Sequence, residues 1–501
     1  MTEAPSPRDG ESSEAGSPAQ GISRSLAHGI AWTTAMRWGT QAVTWVSTIV
    51  VARLLTPQDY GIVSMASVYL GIVALLSEFG LGSAIVMLPT MSAEQIAQIN
   101  LASVMIGSAA FGVSLLLAGQ IGAFFHAADL PLVLRVMSLG FLISSFRSVP
   151  AALLQKRFEF KRLALIDGVQ ALVVSSCAMV LAFLGCRYWT LVAGNLLGIT
   201  MGTVAVLFFR RCGFSWPRLG PLRHAFSFSG QLLVARCAWY INSNSDFAVA
   251  GRVLGKTALG AYTLAWTLAS VPVEKVSAIV FSVTPAYFAA AQRDFATLRR
   301  YLLLLSEGVA LITFPATLGL ALVAPEFVRV VIGSKWEAAI LPLQILGAYS
   351  TVRSLSPILP QILGVTGDIG FTMWNSIGAA IFFPIAFYLG SRWGINGIAA
   401  AWLFAHPIMA IPLYWRVCRR IDLKVAEYLR ALWPATSSAL LMVAAVLVLK
   451  IVMPGGWSTS IRLGAEIALG AIAYAGSTFL FHRKRLDRIR GALRSPATAV
   501  S

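Results

Sequence analysis

Charge is scarce in this chain. Of 501 residues only 12% are Asp, Glu, Lys or Arg, and acids are rarer than bases, 21 against 39. Soluble domains carry about 25% charged residues. With 57% hydrophobic residues and a mean hydropathy of +0.74, an ordinary soluble domain is excluded. The five cysteines, Cys177, Cys186, Cys212, Cys237 and Cys418, are scattered and form no CxxC. They are read as small apolar residues, neither disulfides nor metal ligands. Walker A, HExxH and GxSxG are missing, as is GxGxxG at a strand-to-helix turn. No nucleotide-driven pump, no enzyme of a soluble type and no cofactor are therefore expected. The alternating strands of about ten residues that build a membrane β-barrel are absent too. Residues 1–21 have no apolar run, which excludes a cleavable signal peptide and predicts a disordered tail.

What is present is a succession of long apolar runs, each able to cross the hydrocarbon core as a helix of about 20 residues. Fourteen are expected, at about 30–52, 61–81, 96–118, 132–154, 163–185, 189–209, 225–251, 260–288, 301–324, 340–363, 370–390, 394–415, 430–450 and 463–481. The fold class is an all-α polytopic membrane protein. It consists of two pseudo-symmetric six-helix bundles plus two C-terminal helices. Expected divisions are a tail at 1–24, an N-terminal lobe at 25–209, a basic linker at 210–224 and a C-terminal lobe at 225–416. Helices 13 and 14 follow at 417–482, and a basic tail at 483–501.

The halves are related by a repeat. Residues Arg37–Ala66 align without a gap on Arg236–Ala265 at an offset of 199, so Arg37 falls on Arg236, Arg53 on Arg252 and Gly61 on Gly260. Leu139-Gly140 and Pro150 fall on Leu346-Gly347 and Pro357 at an offset of 207. Six crossings per half give both halves the same direction, a parallel repeat about the membrane normal.

Orientation follows from Lys and Arg. With the N-terminus cytoplasmic, inner segments hold 24 and outer loops 9. Both termini are expected inside. The net charge of +18 then reflects loops facing anionic inner-membrane lipid, with no nucleic-acid partner. Span prolines are unevenly shared. The first half has Pro150, whereas the second has Pro272, Pro285, Pro315, Pro342, Pro357, Pro360, Pro384, Pro407 and Pro412. More bending is expected there.

A charge at the bilayer centre costs roughly 2.5–3.5 kcal/mol or more, so it faces a cavity or a partner. Arg37 is followed by Gln41, Thr44 and Thr48 along one helix face, and Arg236 by Tyr240, Ser243 and Asn244. Arg147 and Arg353 lie in the fourth span of each half. Four guanidinium groups at similar depth suit a polyanionic headgroup, because guanidinium bonds phosphate in a bidentate way. The competing reading is pairing with span acids, namely Glu78, Asp167, Asp246, Glu274, Glu307 and Glu466. Lys275 beside Glu274 is expected as a local pair. Glu78 and Asp246 are the candidates for ion coupling, since burial raises a carboxyl pKa.

Ala52-Arg53-Leu54-Leu55, Pro57 and Asp59-Tyr60-Gly61 resemble the ARLL-x-P-x-D-Y-G stretch of bacterial polysaccharide exporters. These are the Wzx-type flippases of the MOP exporter superfamily. Asp246, Gly251-Arg252, Leu254-Gly255, Leu259-Gly260 and Tyr262 are similar to its second-half pattern, and the WzxC-like branch is nearest. The resemblance covers roughly 25–480 and implies a V-shaped pair of bundles around a cavity lined by spans 1, 2, 7 and 8. The implied substrate is an oligosaccharide on undecaprenyl diphosphate, moved between leaflets of the inner membrane. Polysaccharide polymerase or export machinery is the implied protein partner. Arg53 and Arg252 are read as turn and interface residues. Competing functions are a lipid II flippase, a multidrug cation antiporter, which needs an acidic cavity, and a membrane glycosyltransferase, which needs a catalytic carboxylate or large outer loops.

Overall fold

The first copy of the repeat shows how a helix starts here. The Asp59 carboxylate accepts from the Thr56 amide (2.9 Å) and hydroxyl (2.6 Å), and the Asp59 amide donates back to Thr56 Oγ1 (3.4 Å). Pro57 occupies the first helical position, where its missing N–H loses nothing. This reciprocal cap accounts for the Thr-Pro-x-Asp spacing. The second copy has Gly255 in place of Thr56. Its φ of +82° is a conformation open to glycine without steric cost.

The computed structural model describes residues 39–78, 85, 91–157, 159–216, 236–453 and 456–494. The first half contains α1 (39–54), α2 (Pro57–Glu78), α3 (Ala93–Phe125), α4 (Leu130–Lys156), α5 (Phe160–Phe183) and α6 (Trp189–Phe209). The second contains α7 (236–254, its last turn the π-helix Ala250–Leu254) and α8 (Gly255–Ala290). Then come α9 (Phe295–Phe327, prolonged by the π-helix Val328–Ile332), α10 (Ile340–Arg353), α11 (Leu359–Val365), α12 (Ile369–Gly390) and α13 (Gly394–Arg420). Helices α14 (Val425–Val452) and α15 (Thr459–Arg494) close the chain. No strand occurs among the described residues.

By length and composition, nine helical stretches among the described residues are able to cross a membrane, and one of them, Ile369–Arg420, holds both α12 and α13. The expected spans outside those nine are α1, α7, α8 and the tenth, which is split into α10 and α11. Several helices overrun their apolar limits. Helix α3 begins on a Ser92–Gln95 capping box and ends at His126, which is left-handed at φ 53°. Caps set its length, not the end of the apolar run. Helix α15 continues past a kink at His482 to Arg494, so the start of the basic tail is helical.

Within the first half α3 packs on α4, α4 on α6 and α5 on α6. Within the second, α9 and α13 pack on α10, and α12 on α13. Helices α14 and α15 lie against each other and against α9. The main contact between halves is α2 against α8. There the helices touch at two glycines. A Cβ on Gly61 would fall 1.8 Å from the Lys256 carbonyl oxygen, and one on Gly260 would fall 1.7 Å from that of Pro57. Ser64 and Thr263 share a hydrogen bond of 2.9 Å a turn further on. The largest buried cluster straddles this contact, joining Ala52, Ile62 and Met65 to Leu259, Tyr262 and Trp336. Side chains such as Leu116, Phe208 and Ile451, each at least 80% exposed, face outward, as a lipid-facing surface requires.

The proline asymmetry has a structural counterpart. Helix α4 carries Pro150 without a break. At the matching Pro357 the chain leaves the α-helix for a 3-10 turn, Ser356–Ile358, between α10 and α11.

Candidate functional site

The bundle has two ends. Loops 55–56, 126–129 and 333–339 lie at the motif end; loops 157–159, 291–294 and 421–424 lie at the linker end. The candidates on α1 and α7 occupy the linker half, where α1 faces α8 and α7 faces α2 across the seam.

Arg37 lies outside the described residues. Arg236 is half-buried near the start of α7, and no described residue hydrogen-bonds or ion-pairs with it. One turn on, the Tyr240 hydroxyl donates toward the Ser67 and Val68 carbonyls of α2 (3.2 and 3.0 Å). It lies over Gly71, where an added Cβ would sit 2.0 Å from that hydroxyl oxygen. Asn244 donates to the Tyr240 carbonyl (3.0 Å), and Ser243 is half-buried beside it. On the opposite seam, Lys275 of α8 donates to Gln41 Oε1 of α1 (2.5 Å). Lys275 thus reaches across to the other half; the expected local pair with Glu274 does not form. Thr44 turns away from this seam. Its hydroxyl donates to the Thr40 carbonyl (2.9 Å) and receives Ser175 Oγ of α5 at 3.5 Å. The polar face of α1 is therefore divided between α8 and α5.

The fourth-span arginines differ in their surroundings. Arg147 donates to Asp167 (2.9 Å) and to Gln170 (2.7 Å) of α5, with Gly202 of α6 leaving room for the guanidinium. Among the described residues it is the one span arginine of the expected set that pairs with a span acid. Arg353, the last residue of α10, lies 5.1 Å from the Trp266 ring centroid and 5.9 Å from that of Tyr349. It also donates to Ser270 Oγ at 3.2 Å. Cation–π attraction and one hydroxyl hold it in place of a carboxylate.

Asp246 is fully buried in α7. Its Oδ2 accepts from the Tyr262 hydroxyl (2.6 Å) and from Trp402 Nε1 (2.9 Å), while Oδ1 is buried with no hydrogen-bond partner. No cation among the described residues pairs with it. Around it Phe247, Tyr262, Trp266, Tyr349, Phe383 and Trp402 form a continuous ring cluster that leads to Arg353. Tyr262 and Trp266, and likewise Trp402 and His406, are four residues apart on α8 and α13. That spacing was the available signal for this cluster, but aromatic residues at helical spacing are common in apolar spans. Of Glu78 the backbone closes α2; its side chain lies outside the described set. No group of three or more His, Cys, Asp or Glu able to hold a metal occurs among the described residues.

Arg53 and Arg252 are interface residues. Arg53 of α1 donates through Nε to the Val331 carbonyl (2.6 Å) and through Nη2 to that of Val330. Arg252 of α7 donates to the Phe124 carbonyl (2.6 Å) and lies against the His126 ring.

Known proteins resemble this chain in sequence and in fold. A relative from Escherichia coli (strain K12), lipopolysaccharide biosynthesis protein WzxC, is 27% identical over 397 residues, covering 77% of this chain and 80% of its own. The succinoglycan biosynthesis transport protein ExoT of Rhizobium meliloti (strain 1021) is 24% identical over 93% of this chain and 95% of its own. Among solved structures, the lipid II flippase MurJ in an inward closed conformation superposes with a TM-score of 0.72 at 12% identity. That superposition covers 91% of this chain and all of that one. The sequence model of the family described as polysaccharide biosynthesis protein matches residues 50–341, from the end of α1 into α10. That match spans more than half of the chain, so this protein belongs to the polysaccharide biosynthesis protein family.

Proposed function

We propose that the protein translocates undecaprenyl-diphosphate-linked oligosaccharide across the bacterial inner membrane for lipopolysaccharide or exopolysaccharide synthesis. The observation that carries this reading is the family match over 50–341, together with transport and biosynthesis relatives aligned along most of the chain. The protein is a multi-pass transporter, not an enzyme. Its lobes, at 25–209 and 225–416, rock about the α2–α8 seam, with 210–224 as the cytoplasmic linker. Helices at 417–482 brace the second lobe. With both termini cytoplasmic, the motif end is the outer end.

Arg37 and Arg236 hold the diphosphate from the two lobes, and Arg353 on its aromatic support is the next group along the cavity wall. Among the described residues no acid lies beside the half-buried Arg236 guanidinium, which supports this role, because such a charge keeps its donors for a ligand. Arg147, held by Asp167 and Gln170, has fewer donors left. Gln41, Tyr240, Ser243 and Asn244 line the seam beside them. Polysaccharide polymerase or export machinery is the protein partner expected on the outer side. The MurJ likeness is one of fold and leaves the substrate to the family match, so lipid II is the second reading.

The test is substitution. Arg236→Ala and Arg37→Ala are each expected to abolish surface polysaccharide while protein level and membrane insertion stay normal. Losing a charge-assisted contact of about 1.5–3 kcal/mol lowers headgroup affinity at least tenfold. Arg→Lys is expected to restore part, since a point charge loses the bidentate geometry. Loss of the protein itself in both alanine variants would assign these residues to packing.

A further inference from the structure

The contacts at the motif end come in matched pairs. The Gly61-to-Lys256 approach has its mate in the Gly260-to-Pro57 approach, since residues 57 and 256 are equivalent at the offset of 199. Ser64 and Thr263 are themselves equivalent at that offset and bond to each other, which places them beside the pseudo-two-fold axis. The arginines obey the same rule. Arg53 and Arg252 are equivalent at 199, and their acceptors Val331 and Phe124 are equivalent at 207, the offset of the fourth spans. Each arginine thus leaves its own half and binds the C-terminus of the third helix of the other half. The seam is self-complementary within one chain, as a two-fold interface is between two chains.

The chemistry suits a contact that must both hold and release. The last carbonyls of a helix lack intrahelical partners and carry the negative end of its dipole. A guanidinium satisfies them without a carboxylate. In the second half the closing π-helix Val328–Ile332 turns two successive carbonyls, those of Val330 and Val331, toward the fork of Arg53. Both arginine side chains are exposed, so on release their charges return to water and are not stranded. Among the described residues, the polar contacts between halves at this end otherwise amount to the Lys256–Asp129 pair (3.2 Å), the Ser64–Thr263 bond and the Trp336 indole on the Ala52 carbonyl (2.8 Å).

We propose that Arg53 and Arg252 are two equivalent latches that hold the motif end of the cavity shut, each by capping the third helix of the opposite lobe, and that both release when that end opens. They are positioning residues and touch no substrate. Their purpose in a transport cycle rests on the flippase reading above; their action on the seam does not.

A cross-link across the axis reads the seam without substrate. In the full chain, with the five native cysteines replaced, the Ser64→Cys/Thr263→Cys pair is expected to oxidise rapidly to an intramolecular disulfide in native membranes. Arg53→Ala and Arg252→Ala are each expected to slow that reaction by about tenfold, to a similar extent, and the double variant further. Arg53→Lys, which keeps the charge but offers a single donor group, should fall between. If the double alanine variant does not accumulate, the double lysine variant carries the same sign with a smaller effect. An unchanged rate in the double variant overturns the proposal, as does an effect at one arginine with none at the other. Slowed cross-linking in a protein that flips no lipid-linked sugar would uphold the latches and reject the flippase reading.

Discussion

At Asp246 a buried carboxylate is met by two neutral donors and, among the described residues, no cation. A charge removed from water without a counter-ion is costly, and the cost is met here only in part by Tyr262 and Trp402. Two roles can be separated by substitution. Asp246→Ala leaves a phenol and an indole without an acceptor, at about 1–3 kcal/mol for each orphaned group. It is expected to lower the melting temperature in detergent by several degrees. Asp246→Asn keeps one carbonyl acceptor and is expected to stay near the wild-type melting temperature. If Asp246 carries a coupling proton, Asp246→Asn removes the response of transport to a pH gradient while basal flipping persists. An unaltered pH response in Asp246→Asn would leave the aspartate as an anchor for the ring cluster alone. Arg147 makes a useful contrast. Its partner Asp167 is 63% exposed, so the pair contributes about 0–1 kcal/mol. Arg147→Ala is expected to leave stability almost unchanged.

At the scale of elements, the glycines of α2 and α8 decide how closely the halves meet. Adding a methyl group at Gly61 or Gly260 places carbon within 2 Å of a backbone oxygen on a neighbouring helix. Backbone cannot swing aside as a side chain does. Gly61→Ala and Gly260→Ala are each expected to separate the helices and to slow the cross-link across the axis at least as much as loss of an arginine. Gly112→Ala, at a glycine with open space around it, should do neither. These elements also show what was legible beforehand. Helix α6 could be drawn to the residue because its apolar run and its helix coincide. The repeat was visible because both copies keep Arg-x-Leu and a glycine six residues after the leucine. The partners were hidden. Nothing in the spacing of Arg53 says that its acceptors lie 277 and 278 residues away on a helix end. Backbone carbonyls leave no trace in composition. The division of Gln41 and Thr44 between two neighbours was equally hidden, because it depends on how α1 is rotated against α5 and α8.

At the scale of the whole molecule, the basic excess at the linker end predicts which side is inside. Reporter fusions after Ser501 and within Gly455–Ser460 are expected to read cytoplasmic and external respectively. The reverse result would place the motif seam on the inner face and invert the direction of the latches. Given that orientation, the two halves are unequal partners in rocking. The first half keeps α4 continuous through Pro150, while the second breaks at Pro357 and carries Pro272 within α8. A proline removes one ladder hydrogen bond, so the bend it permits has little further to lose. Bending is therefore expected at Pro272, which lies on α8 between the ring cluster and Lys275, and at Pro357, just past Arg353. Pro272→Ala with Pro357→Ala restores the missing donors and stiffens both helices. In reconstituted vesicles, transport is expected to slow severalfold while binding of the lipid-linked sugar persists, because Arg236 and Arg353 are left in place. The static seam should still cross-link at the wild-type rate, since Pro272 and Pro357 lie toward the linker end, away from Ser64 and Thr263. If binding and transport fall together, the prolines shape the site; if neither changes, the second half bends elsewhere, and the π-helical ends of α7 and α9 become the places to substitute next.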